Sequence, residues 1–79
     1  MSEFPSMKAR AFLAVLLREP LGYVIVRQKG SHRVLRSPGL PELRFSFHDG
    51  VTVPSGVIRK YLVGTVGMEP DEALRLLGR

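Results

Sequence analysis

Near the start of the chain, apolar residues recur with the period of a helix. Ala9, Phe12, Leu13, Leu16 and Leu17 fall at i, i+3, i+4, i+7 and i+8, a single stripe on a helical surface. Ser6 is placed to cap the start and Pro20 with Gly22 to end the run, so the spacing predicts a first helix from about Met7 to Arg18. The pattern then changes to that of a sheet. Tyr23 to Lys29 is rich in β-branched and aromatic residues, Gly30-Ser31 interrupts, and His32 to Ser37 resumes. Two such runs around a Gly-Ser pair predict a hairpin, with Gly30 supplying the positive φ of a type II′ turn. The stretch Ser37-Pro38-Gly39-Leu40-Pro41-Glu42 cannot continue a ladder and reads as a loop. Leu43 to His48 alternates apolar and polar, the signature of a half-buried third strand, before Asp49-Gly50 turns the chain.

Pro54 argues that Val51 to Val53 is an extended approach to a helix rather than a fourth strand. Ser55 is the expected N-cap of that helix; Val57, Ile58, Tyr61, Leu62, Thr65 and Val66 repeat at helical spacing, and Gly67 suits the position just past its end. A last short helix opens at Glu69-Pro70-Asp71-Glu72, with Pro70 at the first helical position, acids in the first turn, and Ala73, Leu74 and Leu77 directed inward. The order α-β-β-β-α-α predicts an α+β fold: one three-stranded antiparallel sheet with helices on one face.

The two-residue turn fixes which side chains share a face. Lys29 should pair with His32, Arg27 with Val34 and Ile25 with Arg36, leaving Val24, Val26, Gln28, Arg33, Leu35 and Ser37 on the other side. The second set is mainly apolar and fit to receive the helices. The first gathers Arg27, Lys29, His32 and Arg36, and the third strand would bury Leu43, Phe45 and Phe47 while adding Arg44, Ser46 and His48 to the polar face.

Composition bounds what such a face can do. A chain of 79 residues has room for one domain, expected to span 1–79 with its core over about 7–77. With no cysteine there is no disulfide and no thiolate ligand, and two histidines with seven acids form no recognisable ligand cluster, so neither a metal nor another cofactor is expected. The longest apolar stretch, Ala11 to Leu17, falls far short of the ~20 residues that span a bilayer, which predicts a cytoplasmic protein without membrane contact. Twelve Lys and Arg against seven Asp and Glu give a net charge of +5. A polyanionic partner, nucleic acid foremost, is the commonest reason for such a charge on so short a chain.

Cations around an imidazole suit a phosphodiester. They hold the phosphate and stabilise the charge added in a pentacoordinate transition state, while the imidazole moves a proton near neutral pH. On RNA the proton at hand is that of the 2′-hydroxyl, which attacks its own 3′-phosphate without a metal. A histidine beside a hairpin turn is, taken alone, more often a solvated surface residue than a catalyst. His48, ending a strand before Asp-Gly, serves as readily as a turn residue as it would as an auxiliary acid-base group. Arg59 and Lys60 lie on the outer side of the second long helix, as RNA contacts or as an ordinary solvated face.

The succession Met7-Lys8, a Leu-rich helix, Gly22-Tyr23, Arg27-Gln28-Lys29-Gly30-Ser31-His32, and later Gly56-Val57-Ile58-Arg59-Lys60-Tyr61-Leu62 closing on Gly67 resembles HicA, the mRNA-interferase toxin of HicA–HicB toxin–antitoxin systems. The likeness runs from about Met7 to Leu77. It implies a double-stranded-RNA-binding-domain-like fold, an endoribonuclease that cleaves mRNA, and a cognate HicB-type antitoxin as protein partner. It also implies His32 as the catalytic residue, with Gly30 and Ser31 as motif positions that set the turn. With Arg27, Lys29, Arg36, Arg59 and Lys60, those two complete the expected RNA-binding set. Two departures stand out: Arg33 occupies a place where many members carry a second histidine, and Phe45-Ser46-Phe47-His48 replaces a Val-x-Val-Pro-x-His pattern. Two other readings share the same charge: a non-catalytic RNA-binding module, and a protein-interaction module whose basic face docks an acidic partner.

Overall fold

The computed structural model describes residues 3–78; Met1, Ser2 and Arg79, which the expected 1–79 span includes, lie outside the described residues. The elements run β1 (Met7–Lys8), α1 (Ala9–Leu17), β2 (Val24–Lys29), β3 (His32–Arg36), β4 (Leu43–Phe45), β5 (Thr52–Val53), α2 (Ser55–Arg59, continued by a π-helical segment Lys60–Thr65) and α3 (Pro70–Leu76). Strands β2, β3 and β4 form an antiparallel sheet in that order, while β1 and β5 form a separate two-stranded antiparallel ribbon. The fold is α+β with a three-stranded antiparallel sheet, as the hydrophobic pattern predicts, and is compatible with a double-stranded-RNA-binding-domain-like arrangement.

The largest departures lie at the start of α1. Met7 and Lys8 are not helical but pair with Val53 and Thr52, so the segment expected to be only an extended approach is a short strand. Ser6 does not cap the helix; Lys8 occupies the N-cap without a side-chain hydrogen bond. The free N–H groups of the first turn are met by main chain instead, Ala9 N donating to Val51 O at 2.8 Å and Arg10 N to Asp49 O at 3.2 Å. Ser55 is likewise the first residue of α2, with Pro54 at the N-cap. α3 follows the sequence reading, with Pro70 in its first turn and Ala73 buried.

Helices and sheet meet through aromatic rings. Phe12 of α1, Phe45 of β4 and Tyr61 of the α2 continuation form a triangle with centroids 5.7–6.0 Å apart, and Phe47 joins Phe45 at 5.5 Å. Leu35, Leu43, Val53, Ile58 and Leu62 close the core around them. Phe4, ahead of any periodic signal, is buried as well, and the Arg59 guanidinium lies 5.9 Å from its ring centre. Because Phe45 faces the helices, period-two alternation sends Arg44 to the opposite, uncovered face of the sheet.

Candidate functional site

The turn that carries His32 is fixed by backbone chemistry. Gly30 has φ +61°, and among the described residues, Ser31 included, no non-glycine residue has a positive φ, which fits a type II′ turn and rules out type I′, where both central residues need one. The Gln28 side-chain amide donates to Gly30 O at 3.1 Å and braces the turn from the neighbouring strand. Lys29 and His32 are directly opposed across it, as are Arg27 and Val34. The register expected from the two-residue turn therefore holds through these pairs.

Beyond Arg27 it changes. A bulge at Val26 sets Ile25 opposite Leu35 and Val24 opposite Arg36. Ile25 therefore turns toward the core, against the expectation that it shares the basic face, while Val24 and Val26, expected on the helix side, are 59% and 53% exposed. The extra residue on the edge strand reverses the alternation, and this lets a β-branched residue follow Leu35 inward. Arg27, Lys29, His32 and Arg36 keep their places on the uncovered face.

Two adjoining depressions mark that face. One is lined by His32, Arg33, Val34, Arg44, Phe45 and Ser46; the other by Val26, Arg27, Val34, Arg36, Glu42 and Arg44. Val34 and Arg44 belong to both, so the depressions are contiguous across the sheet. Among the described residues, His32, Arg27 and Lys29 are exposed and have no ion-pair partner. Arg36 donates through Nε to Glu42 Oε1 at 3.1 Å, and Arg44 Nε lies 3.5 Å from Glu42 Oε2. Arg33 points to the helix side, its side chain 11% exposed, and ties β3 to the following turn through Asp49 Oδ1 at 3.1 Å and Phe47 O at 3.4 Å.

The other expected contacts are not brought to this face. β4 ends at Phe45, so His48 lies beyond the ladder, where its carbonyl accepts from Val51 N at 3.0 Å, and its side chain lines neither depression. Arg59 and Lys60 sit on the helical layer; Arg59 stacks against Phe4, and Lys60 borders a different, mainly apolar hollow with Phe47, Val57, Tyr61 and Thr65. Arg44 and Glu42 were not singled out as site residues. Arg44 was legible from its position between buried Leu43 and Phe45, whereas Glu42 stands in a loop whose path no local pattern specifies.

Among the described residues no group of three or more His, Asp or Glu side chains is placed to hold a metal ion, and no helix is long and apolar enough to cross a membrane. Burial raises the Tyr61 phenol above its ordinary pKa and does the same for Tyr23. Each hydroxyl donates to a main-chain oxygen, Tyr61 to Arg44 O at 2.6 Å and Tyr23 to Pro41 O at 2.7 Å. Tyr61 thus fixes the backbone from which the Arg44 side chain projects.

Fold and site together define a small α+β domain whose uncovered sheet face is a cationic surface around a single exposed histidine. A family model described as the HicA toxin of bacterial toxin–antitoxin systems matches residues 10–63 of the 79, which includes all of α1 but its first residue, the hairpin, β4, β5 and most of α2 with its continuation. The chain belongs to the HicA toxin family. No curated relative and no solved structure matches it.

Proposed function

We propose that this toxin is a metal-independent endoribonuclease that binds and cleaves mRNA in the cytoplasm, as a single domain, and is neutralised by a HicB-type antitoxin. The observation that carries the reading is the Lys29–His32 pair: an exposed imidazole directly across a two-residue turn from a lysine, on a face that also carries Arg27 and Arg44. Bound RNA would lay a phosphate against these cations. His32 accepts the proton of the 2′-hydroxyl as O2′ bonds to phosphorus and the bond from phosphorus to O5′ breaks; O5′ leaves with a proton drawn from water or from the imidazolium. The products are a 2′,3′-cyclic phosphate and a free 5′-hydroxyl, with no metal in the balance.

One observation favours a second reading, an RNA-binding module without chemistry. His48 does not line the His32 depression, so the imidazole there has no second histidine to act as acid. Induced expression of the chain and of His32→Ala separates the two. The nuclease reading expects growth arrest with RNA decay for the first and neither for the second. Equal arrest with intact RNA in both supports binding alone.

A further inference from the structure

Arg27, Arg36 and Arg44 make a second cationic group on the uncovered face, centred on an acid. Glu42 accepts a hydrogen bond from Arg36 Nε through Oε1 and forms an ion pair with Arg44 through Oε2, a different carboxylate oxygen to each. Among the described residues the terminal amino groups of these two guanidinia make no protein hydrogen bond. A guanidinium has five N–H donors, so the carboxylate orients both groups while leaving donors open to a ligand. The arginine side chains are 68% and 83% exposed and that of Glu42 34%. Exposed pairs of this kind are weak, and a phosphate can displace or share such a partner readily.

The geometry points to a phosphate subsite formed by Arg27, Arg36 and Arg44 and restrained by Glu42, which takes an RNA phosphate flanking the one beside His32. This rests on the RNA-cleaving reading above and extends it. His32 and Arg36 stand at opposite ends of β3, about 13 Å apart at the rise of an extended strand, so one RNA strand crossing both depressions spans more than one nucleotide. Arg44, shared by the two depressions, is the joint between them. Glu42 lowers the local charge from three cations to a net +2, which limits how tightly RNA is held and keeps the flanking seat from outweighing the His32 site.

The test uses the full chain carrying His32→Ala, so that RNA stays intact, and follows binding to a fluorescent single-stranded oligoribonucleotide by anisotropy across a salt series. Adding Glu42→Gln should tighten binding about fivefold at low salt, the effect of removing one unit charge at contact distance in water. Adding Arg44→Ala, or independently Arg36→Ala, should weaken binding and reduce the slope of log K against log salt by about 0.7, one phosphate contact on a single strand. Unchanged affinity and slope in all three, with the parent still binding RNA in a salt-sensitive way, overturns the subsite and leaves the RNA reading standing. Weaker binding by Glu42→Gln overturns it too, because the carboxylate would then be a contact rather than a restraint. A parent that binds no RNA overturns both.

Discussion

Lys29 and His32 are directly opposed residues of one hairpin, separated by Gly30 and Ser31 alone, so a cation and an imidazole share a face because the turn has two residues. Adding or removing one turn residue would carry His32 to the helix side of the sheet. The site's geometry therefore depends on the conformation of Gly30.

Gly30→Ala should be costly for its backbone and not for its bulk. An added Cβ would meet nothing within 4 Å, but φ is +61° there. An L-residue held at positive φ loses about 1–2 kcal/mol, and relief of that strain would move His32. Chemical denaturation should show this loss, and RNA cleavage should fall more than the population of folded protein does.

Arg33 and Asp49 join the strand bearing His32 to the turn whose carbonyls receive the first N–H groups of α1. Arg33 is nearly buried and Asp49 half exposed, so the pair is only partly shielded from solvent. A double-mutant cycle with Arg33→Ala and Asp49→Ala should give a coupling of about 1 kcal/mol. Arg33→Ala should be the costlier single change, because Phe47 O loses its donor as well.

The ring triangle is the main support beneath the site. Phe45→Ala removes a fully buried ring that touches both Phe12 and Tyr61, at a cost of about 3–5 kcal/mol. A domain of this size has few kcal/mol to lose, so the variant should be largely unfolded by circular dichroism at room temperature, whereas Phe45→Leu should remain folded with a lower Tm.

Alkaline pH should weaken the fold through Tyr61 and Tyr23. Their folded pKa values lie above the ordinary 10.0 because burial disfavours the phenolate. The folded state then holds a proton that the unfolded chain releases: the stabilisation is complete below pH 10, declines above it, and is gone once pH passes the folded values. Tyr61→Phe should cost about 1 kcal/mol at neutral pH through the lost bond to Arg44 O, and should flatten the decline above pH 10 in a urea titration.

What the sequence made legible follows the range of its signals. Gly30-Ser31 announced a hairpin and its near register, because a two-residue turn dictates the pairs beside it, and Leu43-Arg44-Phe45 announced which side of β4 is wet. The bulge at Val26 carried no such mark: the run Tyr23 to Val26 is apolar throughout, and only packing against Leu35 chooses Ile25 over Val26. Met7 and Lys8 stand just ahead of the helical stripe that begins at Ala9, with nothing local to stop the helix short of them, but they meet Val53 and Thr52 in space, a long-range pairing that overrides local preference. The basic face was readable as charge, while the Glu42 link between Arg36 and Arg44 depends on a loop path that no short pattern specifies.

The most direct test is the fate of a short 5′-labelled RNA incubated with purified protein in the presence of EDTA. Catalysis by His32 requires fragments ending in a 2′,3′-cyclic phosphate, and their loss with His32→Ala although that variant keeps the circular dichroism spectrum and the RNA affinity of the parent. Cleavage at an unaltered rate by folded His32→Ala would contradict it.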